Sequence, residues 1–257
     1  MWCIDNPYTD PGFNLAAEEY LFKSVSLPVC MVWQNEPCVV IGKHQDAARE
    51  VNLPLAGRRR IRVVRRITGG GAVYHDEGNL NLTLIGPREL VMPATLPERM
   101  RDFLLALGLD ARVDDRKNVR IGRFKVSGSA QGVYKDRWLF HATLLFSTDL
   151  HCLDAVLRAG EGAYPASGGF AVESVRSAVA NVSAYLPQYV SFPGFRRRLR
   201  DYVFDAFPTR TLYRFTPADL AAIGRLKDAK YDSVTWNYGF ASRPSLPVES
   251  RCAAPVR

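Results

Sequence analysis

The stretch Arg65-Arg66-Ile67-Thr68-Gly69-Gly70-Gly71-Ala72-Val73-Tyr74-His75 joins a basic pair, three glycines and a histidine. Glycine has no Cβ, so its backbone can lie directly against a ligand. Successive N–H groups in such a loop can converge on an anion. Arginine is a permanent cation whose donors fit phosphate or carboxylate. This run therefore points to a nucleotide or an acyl phosphate, with a plain turn between strands as the alternative. Asn79 and Asn81 follow, two apart, so on a strand they share a face that could order a ligand or the loop. Lys125-Val126-Ser127-Gly128-Ser129-Ala130 sets a compact point charge beside small residues that admit a close backbone approach. His141 and Thr143 lie on one face of an expected strand. Trp33, Val40 and Ile41 are apolar residues of further strands that could wall a slot for an acyl chain.

These residues need a scaffold of mixed elements. Helices are expected over residues 14–25, 96–107, 150–159, 195–207 and 217–227, and strands over 29–33, 38–42, 62–66, 79–85 and 138–146. Residues 119–121 and 124–127 read as a hairpin turning at Gly122. Glu18 and Glu19 favour the early turns of the first helix. The elements lack a regular βαβ rhythm. The fold class is therefore α/β (α+β), with a mixed, largely antiparallel sheet flanked by helices. The proline-bearing tail, residues 243–257, reads as extended over the surface or disordered.

Bulk properties narrow the classes. The 257 residues suit one large domain, and 47% hydrophobic content supports a substantial core. No apolar run reaches the roughly 20 residues of a membrane span, and the start is not a secretory signal. Five scattered cysteines without CxxC spacing imply neither a zinc site nor a disulfide framework, and so a reduced, cytoplasmic protein. The histidines are too scattered for a metal triad, and no serine has the G-x-S-x-G context of a hydrolase. A net charge of +8 favours acidic partners. Part of it sits in Arg196-Arg197-Arg198 with Arg200, expected as a solvated helix face. A nucleic-acid-binding module wants aromatics interleaved with arginines, which these runs lack.

Taken together, these segments resemble the lipoate–protein ligase A branch of the biotin/lipoate protein ligase family. Further blocks that carry the resemblance are Trp33-Gln34-Asn35 with Val40-Ile41-Gly42-Lys43-His44-Gln45, Ser174-Val175-Arg176-Ser177 with Asn181, and Trp236-Asn237-Tyr238-Gly239. It implies a biotin/lipoate ligase catalytic-domain fold over residues 1–242. It also implies an enzyme that adenylates lipoate with ATP and Mg2+, then passes the lipoyl group to one lysine of a lipoyl domain. The acceptors would be 2-oxoacid dehydrogenase E2 subunits and the glycine cleavage H protein. On this reading Lys125 is catalytic, holding carboxylate and α-phosphate. Lipoate and ATP would be bound by Trp33, Arg66, Thr68, Gly69, Gly70, Gly71, Ala72, His75, Asn81, Lys125, Ser127, Gly128, Ala130, His141 and Thr143. No residue is assigned to a protein-held metal, and neither nucleic acid nor membrane is expected as a partner.

Two departures stand out: Lys117-Asn118-Val119 where the family often carries Asn-Asp-Leu, and Asp46 where it often has asparagine. The C-terminal accessory domain of larger ligases is expected to be absent. That leaves either a separate accessory subunit, with this chain limited to transfer, or a chain that manages both steps. The nearest rival is a cysteine-dependent octanoyl or lipoyl transferase on the same fold, with Cys152 as the one candidate thiol. The sequence does not separate lipoate from octanoate.

Overall fold

Alternation along the strands decides which side chains meet the site. The computed structural model describes residues 1–91, 95–158, 171–207 and 209–239. In chain order its strands are Trp2–Asp5 (β1), Val29–Trp33 (β2), Cys38–Ile41 (β3), Arg62–Arg65 (β4), Val73–His75 (β5), Asn79–Pro87 (β6), Ala111–Val113 (β7), Val119–Ile121 (β8), Phe124–Ser127 (β9), Ser129–Tyr134 (β10), Arg137–Leu145 (β11) and Thr211–Leu212 (β12). The helices are Pro11–Ser24 (α1), Ala47–Glu50 (α2), Leu53–Arg58 (α3), Thr95–Ala106 (α4), Leu150–Val156 (α5), Phe192–Asp205 (α6), Pro217–Leu226 (α7) and Val234–Tyr238 (α8).

A six-stranded sheet runs β10-β11-β6-β2-β1-β12. Its β10–β11, β11–β6 and β6–β2 pairs are antiparallel, and β2–β1 and β1–β12 are parallel. Two three-stranded sheets, β4-β3-β5 and β7-β8-β9, complete the frame. The expected mixed, largely antiparallel sheet with flanking helices is what forms. No helix among the described residues is long and apolar enough to cross a membrane.

On β6, Leu80, Leu82 and Leu84 enter one core with Phe103 of α4 and Phe195 of α6. Asn79, Asn81 and Thr83 must then face the other way. On β11 the same rule sends Phe140, Ala142 and Leu144 into that core and turns His141 and Thr143 to the far side. There a second core forms between the large sheet, α1, α7 and the inner face of β3, through Leu15, Trp33 and Val40. The outer face of β3, with Val39 and Ile41, packs on α2, α3 and α5 in a third cluster.

Helices α1 and α6 start earlier than the sequence reading places them, while α5 and α7 start where it does. Asp10 caps α1 by accepting from the Phe13 N–H at 2.6 Å, and Ser191 caps α6. In both, proline sits in the first turn, where its missing N–H costs nothing. Strands β1, β5, β7, β10 and β12 lie outside the sequence reading, being too short or too polar for an alternation signal. Glu18 and Glu19 do not serve the first turn of α1. They lie in its middle, 2% and 4% exposed. The arginine run on α6 is only partly solvated, because Arg196 and Arg200 both bind Asp5. The end of the expected 150–159 helix and the 243–257 tail lie outside the described residues.

Candidate functional site

A cavity of about 360 Å³ opens between the polar stripe of the large sheet and the inner face of the β4-β3-β5 sheet. Leu15, Trp33, Val40, Val73 and Ala142 give it an apolar body. Gly70, Gly71 and Ala72 form one lip, and Lys125, Gly128 and Ala130 another. Thus β9 and the glycine loop, more than fifty residues apart in sequence, meet on one opening.

The glycine loop is folded around a buried guanidinium. Arg66, 5% exposed, donates through Nη2 to the carbonyls of Gly69 (2.6 Å) and Gly71 (2.9 Å), and through Nε to Thr68 Oγ1 (3.0 Å). Gly70 sits at φ +90°, a conformation glycine takes without penalty, and a Cβ there would meet Arg66 Nη2 at 2.9 Å. Arg65 points elsewhere. Its guanidinium donates to the carbonyls of Gly42, Gln45, Trp236 and Asn237, which binds α8 to the root of the loop.

Behind the loop runs a connected set of hydrogen bonds. Arg66 has only N–H donors, so Thr68 Oγ1 accepts from it, and the same hydroxyl lies 2.8 Å from His141 Nε2. His141 Nδ1 then donates to Glu18 Oε1 at 3.0 Å. A second arm, Trp33 Nε1 to Thr83 Oγ1 (2.8 Å) and Thr83 Oγ1 to Glu18 Oε1 (2.5 Å), ends on the same carboxylate. Glu18 is thus the buried counter-charge of Arg66. Burial pulls the Arg66 guanidinium down to about 10, and Glu18 opposes that pull.

Lys125 Nζ takes no hydrogen bond or ion pair among the described residues. Burial lowers its pKa from the ordinary lysine value, with Asp114 opposing and Arg120, Arg116 and Arg66 adding. A Cβ on Gly128 would stand 2.7 Å from this Nζ, so the glycine leaves room for the ammonium. The Gly128 N–H donates to Thr143 Oγ1 at 3.2 Å. A strap, residues 171–180, crosses the opening. Ser174 Oγ accepts from the Ala72 N–H at 2.8 Å and from Gln45 Nε2 at 3.0 Å, while the Lys125 N–H donates to the Ala178 carbonyl at 2.9 Å. A smaller cavity of about 170 Å³ lies against the strap and shares Ala72, Val73, Lys125, Gly128, Thr143 and Ser174 with the larger one.

Of the residues expected from sequence, Trp33, Arg66, Gly70, Gly71, Ala72, His75, Asn81, Lys125, Gly128, Ala130, His141 and Thr143 line the cavity. Thr68 and Gly69 do not; they lie behind the lip as partners of Arg66. Ser127 does not line the larger cavity but borders the smaller one, and its Oγ donates to Met100 Sδ at 3.7 Å. Ile41 faces the third core, one residue out of phase with Val40. Leu15, Glu18 and Thr83 were not singled out as site residues. A mid-helix acid one turn from Asn14 and Leu15 was the available sign of Glu18. None of the four described cysteines lines either cavity, and Cys152 is 4% exposed.

The model of the lipoyl protein ligase A/B catalytic domain matches residues 10–204. Lipoate–protein ligase 1 of Staphylococcus aureus is 32% identical over 240 residues, covering 91% of this chain and 72% of that protein. Among solved structures, protein Ta0514 of T. acidophilum with bound lipoic acid is 27% identical at a TM-score of 0.75, covering 93% of this chain and 98% of its own. A lipoate-protein ligase A bound with ATP superposes at 0.76 with 27% identity and the same coverage. A bi-partite lipoate protein ligase of Thermoplasma acidophilum, studied with its E2 lipoyl domain, gives 0.75 and 26%, covering 95% and 98%.

Proposed function

The chain belongs to the lipoyl protein ligase A/B catalytic-domain family, and from that premise we infer that its cavity carries out lipoate–protein ligation. Lipoate is activated with ATP, and the lipoyl group is transferred to a lysine of a lipoyl domain. The observation that carries the reading is the meeting of Lys125 and the glycine loop at the mouth of an apolar slot.

The slot takes the acyl chain, and the ammonium of Lys125 faces its carboxylate. In the first step a carboxylate oxygen attacks the α-phosphorus of ATP and pyrophosphate leaves. Lys125 offsets the charge that builds on both groups, in a site whose burial strengthens the attraction. The backbone at Gly70, Gly71 and Ala72 lies against the resulting mixed anhydride, in the shape Arg66 imposes. In the second step the acceptor amine attacks the acyl carbon, loses a proton and displaces AMP. The anhydride is already activated, so orientation is the main service of the protein here. Magnesium enters with ATP as its complex. Among the described residues no group of three or more His, Cys, Asp and Glu side chains could hold a metal. E2 lipoyl domains and the H protein are the proposed acceptors. ATP as substrate and the four free, buried thiols of the described residues support a cytoplasmic site of action.

Purified chain given lipoate, Mg-ATP and an apo lipoyl domain should add the mass of one lipoyl group to the acceptor. Transfer from premade lipoyl-AMP alone would place adenylation with an accessory subunit, a reading supported by the bi-partite relative. Absence of both reactions would sink the proposal. Cys152→Ser should retain full transfer, and its loss would favour the thiol-dependent acyl transferase instead.

A further inference from the structure

Three buried asparagines form a head-to-tail chain that ends on the cavity wall. The Tyr8 backbone N–H donates to Asn6 Oδ1 at 3.0 Å. Asn6 Nδ2 donates to Asn14 Oδ1 at 2.9 Å, and Asn14 Nδ2 to Asn35 Oδ1 at 2.8 Å. Asn35 Nδ2 lies 3.0 Å from His75 Nδ1. A backbone N–H can only donate, so every amide in the chain is fixed in direction. The carbonyls of Tyr8 and Gln34, which also accept from Asn14 Nδ2, fix it a second time. His75 Nδ1 must therefore accept, and the ring proton sits on Nε2. Burial, with Arg66 and His141 nearby, holds the His75 pKa down to about 3, so the ring is neutral.

That Nε2–H has no hydrogen-bond partner among the described residues, although His75 is 3% exposed and lines the larger cavity. Asn81 Nδ2 is a second such donor on the same wall. A buried donor left unmade is costly, so its place in a slot calls for an acceptor on the ligand. Its position within the slot says which one. Lys125, Thr143, Gly128 and Ala72 border both cavities and mark the carboxylate end. Val73, two residues before His75 on β5, still borders both cavities, whereas His75 borders the larger one only, beside Trp33 and Leu15 of the buried second core, and so lies farther in. The Trp33 and His75 rings meet edge to face there at 6.2 Å.

We propose that His75 reads the far end of the acyl chain, donating its Nε2–H to a sulfur of the dithiolane ring. A straight hydrocarbon acid leaves that donor unmade, so the pocket selects the sulfur-bearing acid over octanoate. Asn6, Asn14 and Asn35 are positioning residues that set the tautomer. The inference rests on the ligase reading and assigns the preference that the sequence leaves open.

The test is calorimetric binding of lipoate and of 5-cyclopentylpentanoate, in which CH2 groups replace both sulfurs. The ratio of the two dissociation constants is taken on one protein sample, so a partly folded variant does not distort it. Wild type should favour lipoate by about fivefold. His75→Leu should bring the ratio near one, chiefly by weakening lipoate, and His75→Gln, which keeps a donor, should restore part of it. An unchanged ratio in His75→Leu, or equal weakening of both acids, overturns the proposal and leaves the ligase reading standing. Failure of wild type to bind either acid removes both.

Discussion

Lys125 is an ammonium brought into a cavity wall without a carboxylate to hold it. A cation placed so is poised to meet an anionic ligand, and the lowered pKa is the mark of that exposure to a poor solvent. The sign follows directly. Burial disfavours the charged form, so the proton leaves at lower pH than from a free lysine. Activity that needs the ammonium should therefore fall along an alkaline limb lying below 10.5, the ordinary lysine value. In Lys125→Arg the limb should vanish, because guanidinium does not titrate there, while kcat/KM drops by about 10²-fold. A pH–rate profile of both proteins checks this. An alkaline limb retained in the variant would assign it to another group.

At the scale of elements, the glycine loop holds its shape by contact with its neighbours more than by its own composition. Gly42, at the end of β3, lies so close that a Cβ on it would stand 2.1 Å from the Gly70 carbonyl oxygen. Gly42→Ala should push the loop off Arg66, cost about 1–3 kcal/mol in a denaturant melt and raise KM for ATP. A melt and a KM equal to wild type would show that the loop has room to move. This contact is also a fair measure of legibility. The glycine loop, Lys125, His75, Asn81, His141 and Thr143 could be read from sequence because each sits in a short motif of unusual residue types. Strand period then supplied their common face. Glu18 and Thr83 could not be read that way. Each is one polar residue in an ordinary helix or strand, and acquires meaning only when distant segments fold against it. The place of Thr68 behind the lip is illegible for a related reason: adjacency in the motif does not say which neighbour turns inward.

For the whole molecule, charge and connectivity matter more than any single contact. A net charge of +8 should speed encounter with an acidic lipoyl domain. Raising salt from low to physiological strength should then lower kcat/KM for the acceptor several-fold and leave KM for lipoate nearly constant. Equal sensitivity of both constants would argue against steering. Connectivity appears most plainly at Arg65, whose guanidinium spans the carbonyls of Gly42 and Gln45 on one side and of Trp236 and Asn237 on the other. The helix Val234–Tyr238 thus works as a keystone. A protease nick just ahead of it, some 170 residues downstream of Arg65, would be felt first as a slackened grip on nucleotide and only afterwards as unfolding.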